Sequence, residues 1–88
     1  MTVYVDSSRH LIKRGLRQYV LCHLLADDLQ ELHAMARAIG MKRHYFQPKS
    51  TPHYDICLTK RAQAIALGAK VVDRRGLGGM IRRLRDRF

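Results

Sequence analysis

"YVLCHLLA", residues 19–26, is a continuous apolar run interrupted only by His23. Its length suits a strand, and Tyr19 and Val20 at its start favour extended backbone, so it reads as a buried strand. Periodicity alone leaves a helix open, because an unbroken apolar run carries no alternation. Upstream, "TVYV" (2–5) is β-branched and aromatic and ends at Asp6, which makes it a first strand. Between them, "SSRHLIKRGLRQ" (7–18) is polar and basic, contains Gly15, and reads as a loop.

Downstream, "DDLQELHAMARAIG" (27–40) carries the clearest helical pattern. Asp27 is placed to cap its free N–H groups, Gln30 occupies the capping-box position, and Gly40 suits a left-handed stop. Leu29, Leu32, Ala36 and Ile39 recur at helical spacing and form its expected buried stripe. Asp28 and Glu31 near the start and Arg37 near the end match the helix dipole. "MKRHYFQPKSTP" (41–52) holds both prolines, at 48 and 52, and reads as a loop. A second helix is expected from about Leu58 to Leu67 with Gly68 as its stop, and with Leu58, Ala62, Ile65 and Ala66 on one face. "KVVD" (70–73) is a short strand, and a third helix is expected at about 76–87, aligning Leu77, Ile81, Leu84 and Phe88. The sum is one α/β domain over residues 1–88, with about three short strands, at least partly parallel, packed with three helices. The last of these is a basic C-terminal helix.

Composition bounds the function. Eighty-eight residues suffice for one domain with a thin core; a homodimer is one way such a core is completed, although no residue demonstrates it. No apolar run reaches the roughly 18 residues that cross a bilayer. "MTVYVDSSRH" lacks a basic segment followed by an apolar one, so no signal peptide is expected. Two cysteines, Cys22 and Cys57, are too few to staple a secreted mini-domain, and a cytosolic, reduced setting is the expectation. The net charge is +10. Residues 1–44 hold seven basic and four acidic residues, whereas residues 45–88 hold ten and three. Such a field draws polyanions without specifying their sequence, so nucleic acid or a nucleotide is the expected partner. Arg82, Arg83, Arg85 and Arg87 oppose the apolar stripe of the last helix and are suited to phosphate contact.

Ligands of α/β sheets collect beyond strand ends and at the N-termini of the helices that follow. Asp6 ends the first strand, and His23 lies within or near the end of the second. His53, Tyr54 and Asp55 precede the second helix, whose first turns carry Lys60 and Arg61. Two cations there oppose the dipole preference for acids, which points to an anionic ligand. The expected site is therefore Asp6, Lys60, Arg61, Arg82 and Arg83 toward phosphate, with His53, Asp55 and His23 for proton transfer. Plainer roles compete: His53 and Asp55 also suit a loop-fixing hydrogen bond, and His23 a satisfied core position. His33, at the edge of the helical stripe, reads as packing. Cys57, at a helix start, reads as a small buried residue rather than a nucleophile.

The spacing supports no metal site. Cys22 and His23 are adjacent in a strand and point to opposite faces, and no C-x-x-C occurs. A catalytic metal on His53, Asp55 and His23 or Asp6 has no support from spacing either. "GLGG" (76–79) lacks the dinucleotide-binding pattern, and the sequence names no cofactor.

With "VYVD" (3–6), "CHLLAD" (22–27), "ELHAMARAIG" (31–40), "PHYDICLTKRA" (52–62) and "LGA" (67–69), the chain resembles a family of small bacterial and phage proteins known as domain of unknown function 4031. Asp6, His23, Asp27, His33, His53, Asp55, Lys60 and Arg61 occupy its motif positions, and "RRGLGGM" (74–80) departs from the more helix-favouring residues expected there. The resemblance identifies relatives and not a reaction, and it implies that His23, His53 and Asp55 share a site. Three functions follow as expectations: a binder of a phosphate-bearing ligand, a small enzyme on a nucleotide or phosphodiester, or a phage-type modulator of a protein partner.

Overall fold

The computed structural model describes residues 2–7, 10–48, 51–73 and 79. In chain order the elements are β1 (Val3–Asp6), β2 (His10–Arg14), β3 (Arg17–Ala26), α1 (Leu29–Ala38), a 3-10 turn (Arg43–Tyr45), β4 (Phe46–Gln47), β5 (His53–Cys57), α2 (Leu58–Ala66) and β6 (Lys70–Val72). The apolar run at 19–26 is indeed a strand, and it is the one the sheet is built around. β3 pairs antiparallel with β5 on one edge; β1 and β2 follow one another along the other edge, since Leu24 pairs with both Val5 and Tyr54 and Leu21 with both His10 and Cys57. The strand order is β4-β5-β3-β1-β6, with β2 joined to β3 off that path. Among the described residues, only β1 and β6 pair in parallel.

Six strands among the described residues replace the expected three, for local reasons. The segment 7–18 is half of a hairpin. Arg14 pairs with Arg17, so Gly15 and Leu16 form a two-residue turn with Gly15 at φ +61°, the Gly-first geometry that suits strand twist. The stretch "HYDIC" is a strand rather than the approach to a helix: Tyr54 and Ile56 are buried while His53, Asp55 and Cys57 are half-buried, the period-two alternation of a strand. β6 joins β1 and not β3. Of the third helix expected at 76–87, all but residue 79 lies outside the described residues.

The sheet's core face presents Val5, Cys22, Leu24, Ala26, Tyr54 and Ile56 to Leu32, Ala36 and Ile39 of the first helical segment and Ala64 of α2. Both helices therefore cover one face. A smaller cluster, Leu25 with Tyr4 and Val72, lies on the other. The N-cap of α1 is Asp28, whose carboxylate accepts from Glu31 N at 2.7 Å. Asp27 instead accepts from Thr2 N at 3.1 Å and Tyr4 Oη at 3.2 Å, which ties the start of β1 to the end of β3. Leu29 is exposed and drops out of the expected stripe. The predicted face of α2 is also turned outward: Leu58 and Ile65 are exposed, and Ala64 is the buried residue. Alanine there keeps the helix close to the sheet. Both helices stop at a left-handed glycine, Gly40 at φ +81° and Gly68 at φ +108°. Each end carries the paired return bonds of a Schellman motif, Met41 N to Ala36 O and Ala69 N to Ala64 O among them.

Candidate functional site

Period-two alternation separates the chemistry from the core. On β3, Cys22 and Leu24 face the helices, so His23 faces away; on β5, Tyr54 and Ile56 face the helices, so His53 and Asp55 face away. Register then brings them together, because His23 and Asp55 are direct partners across β3 and β5. His53 is two residues from Asp55 on the same face. On the opposite edge of β3, Asp6 at the end of β1 continues the Tyr4–Leu25 side of the sheet and meets His23.

Asp6 is fully buried, and its carboxylate accepts twice from one residue. His23 N donates to Oδ1 at 2.8 Å and His23 Nδ1 to Oδ2 at 2.5 Å. A buried carboxylate needs such partners. The ring's other nitrogen, Nε2, is directed to Asp55, 3.7 Å from Oδ1. His53 arrives from the other side: its Nδ1 donates to the carbonyl of Thr51 at 2.9 Å, and its Nε2 lies 3.6 Å from the same Asp55 oxygen. The two imidazoles meet edge to face, with centroids 5.1 Å apart. The side chains of His23, His53 and Asp55 are 23%, 20% and 34% exposed, buried enough to be held and open enough to be reached.

The hydrogen bond that His23 donates to Asp6 holds its pKa above the ordinary 6.5; burial works against it, and the charges of Asp6 and Asp55 add to it. A raised histidine pKa stabilises the fold in full below the unfolded value. That contribution is lost as pH rises through the folded value. In metal-free protein, the His23 ring signals should therefore titrate above pH 6.5, and unfolding free energy should decline across the interval between that pH and the observed midpoint. A midpoint at or below the ordinary value would contradict the Asp6 pairing.

The remaining expected residues are placed differently. Lys60 Nζ donates to the carbonyl of Ile39 at 2.7 Å, where it closes the C-terminus of α1 on the helix side of the sheet. Arg61 Nε donates to the backbone carbonyl of Asp6 at 3.1 Å, tying α2 to the strand that carries the buried carboxylate. Arg82 and Arg83 lie outside the described residues. His33 packs, as expected: its Nδ1 meets Tyr54 Oη at 2.7 Å and its ring lies edge-on to Phe46. Burial pushes the Cys22 thiol up to about 11, so it is inert as a nucleophile, and its Sγ donates to Ile56 O. Cys57 is half-buried at the N-cap of α2 and makes no capping bond with its side chain.

Two features escape sequence reasoning. The clamp of Asp6 on His23 spans 17 residues and comes from sheet pairing. The carbonyl of Thr51 as orienter of His53 is a backbone group that no residue type announces. The alternation in "HYDIC" is the one signal that could have placed His53 and Asp55 on a common strand face.

A family model described as Protein of unknown function (DUF4031) matches residues 3–84, and the chain belongs to that family. No curated protein and no solved structure matches the chain. No helix among the described residues is long and apolar enough to cross a membrane.

Proposed function

We propose that the protein acts on a phosphate-bearing ligand, a nucleotide or a phosphodiester of nucleic acid, at the sheet face formed by His23, His53 and Asp55. One observation carries the reading. Two imidazoles from different strands direct Nε2 at one carboxylate oxygen, and a buried carboxylate holds one of them in place. An oriented imidazole with an outward Nε2 is equipped to take or give a proton to a reacting oxygen. His23, positioned by Asp6, is the lead group for that work. His53 and Asp55 hold the other side of the reacting centre. The substrate class comes from charge, since a net +10 concentrates polyanions at the surface and speeds their encounter. Lys60 and Arg61 are both tied to backbone carbonyls of the scaffold, so the phosphate charge is met by the general field.

A panel of single-stranded and duplex oligonucleotides, mononucleotides and a chromogenic phosphodiester tests this. Wild-type protein should turn over at least one class, and His23→Ala should abolish that turnover while the far-UV spectrum is preserved. Oligonucleotide binding should weaken as salt rises. Binding without turnover by the wild type would leave the chain a phosphate-ligand binder and remove the enzyme. Neither binding nor turnover at low salt would remove both, and would return attention to a protein partner.

A further inference from the structure

We propose that His23 Nε2, His53 Nε2 and an Asp55 carboxylate oxygen form a site for one divalent first-row transition-metal ion, with Asp6 and the Thr51 carbonyl as its outer supports. The inference takes its location from the proposed function but stands on its own geometry. One ligand atom from each of the three residues lies within 4.8 Å of the others. The two separations to Asp55 Oδ1 are 3.7 and 3.6 Å. Donors about 2.1 Å from an ion at tetrahedral angles sit roughly 3.4 Å apart, so small side-chain rotations bring this set onto a cation.

Proximity alone is common around carboxylates; the orientation of the rings is a second and separate observation. A carbonyl only accepts, so His53 must carry its proton on Nδ1 to bond Thr51 O. The Asp6 carboxylate likewise accepts from Nδ1 of His23. In each neutral ring the lone pair is then on Nε2, the atom that faces Asp55. A metal-binding histidine needs this arrangement: one nitrogen donating to a carboxylate or backbone carbonyl, the other presenting its lone pair to the ion. Both supports occur here, one on each ring, and they come from separate parts of the chain.

The donor set selects the class of ion. Two imidazoles and one carboxylate suit Zn²⁺, Fe²⁺, Co²⁺ or Ni²⁺, whereas Ca²⁺ and Mg²⁺ prefer oxygen ligands alone. Three protein ligands leave a coordination position for water or a phosphate oxygen, the pattern of a working site rather than a structural one. With an ion seated, the two imidazoles and Asp55 would hold it, and the ion would supply an activated water in place of acid–base work by His23.

The test uses the full chain stripped with chelator, titrated calorimetrically with ZnCl₂, and in parallel with CoCl₂ followed by visible absorption. One equivalent should bind, with cobalt bands diagnostic of low coordination number. His53→Ala and Asp55→Ala should each weaken binding by 100-fold or more while the far-UV spectrum stays unchanged. An equal excess of Mg²⁺ should not compete. Absence of stoichiometric binding, or binding indifferent to both substitutions, overturns the site. Stoichiometric binding without phosphoester turnover upholds the site and removes the proposed function. Turnover that survives chelation in a protein that takes up no zinc removes the site and upholds the function.

Discussion

Leu24→Ala should lower the unfolding free energy by about 2–5 kcal/mol, a large structural loss for a single side chain. Leu24 is completely buried, and it is the β3 residue flanked by Val5 on one side and Tyr54 on the other. Alanine there removes apolar burial and leaves a cavity that a sheet interior fills poorly. A domain of this length has a total stability of roughly 4–13 kcal/mol, so the variant stands near the edge of folding. Urea denaturation should show a large drop in midpoint with an unchanged slope. A loss below about 1 kcal/mol would mean that the helices do not seal the core face at this position.

Asp6→Asn is the second. The substitution keeps size and shape, but an amide has one accepting oxygen where the carboxylate offers two. With that oxygen on the backbone N–H of His23, the NH₂ group faces Nδ1, which must then accept. The ring proton moves to Nε2, the wrong nitrogen for either proposed role. Where an aspartate holds a catalytic histidine in this way, the corresponding loss of turnover is on the order of 10³- to 10⁴-fold. Zinc affinity should fall by about 10–100-fold, the usual cost of losing an outer support. The fold should survive, because the bond to the His23 backbone is retained. Turnover and zinc affinity matching the wild type would show that Asp6 serves the fold alone.

What the residues announced, and what they withheld, follows from the range of the interactions involved. α1 was legible because capping acids, helical spacing and Gly40 all lie within 14 residues; even so the cap fell on Asp28, since Asp27 is drawn to Thr2 and Tyr4 across the sheet. β1, β6 and the apolar core of β3 were legible from β-branched and aromatic content. β2 was hidden by its basic residues, which made a hairpin arm look like a loop, although Gly15 marked its turn. β5 is hidden because its polar members suggest chemistry and so mask the every-second-residue pattern of a strand. The face of α2 differs from the expected one for a related reason: small Ala64 makes the packing contact, and the larger Leu58 and Ile65 are exposed. For the site, residue types sufficed to nominate His23, His53 and Asp55. Their union depended on the β3–β5 register, which no local pattern encodes. Lys60 and Arg61 suggest ligand groups because they oppose the helix dipole. Their observed bonds to Ile39 O and Asp6 O give that conflict a structural origin.

The orientation of two rings underlies everything proposed for this face. Long-range proton–nitrogen NMR correlation of the histidine side chains, on metal-free protein at alkaline pH, reads it directly. The account predicts that His23 and His53 both hold their proton on Nδ1, with pyridine-type Nε2 shifts. A proton on Nε2 of either ring would contradict it.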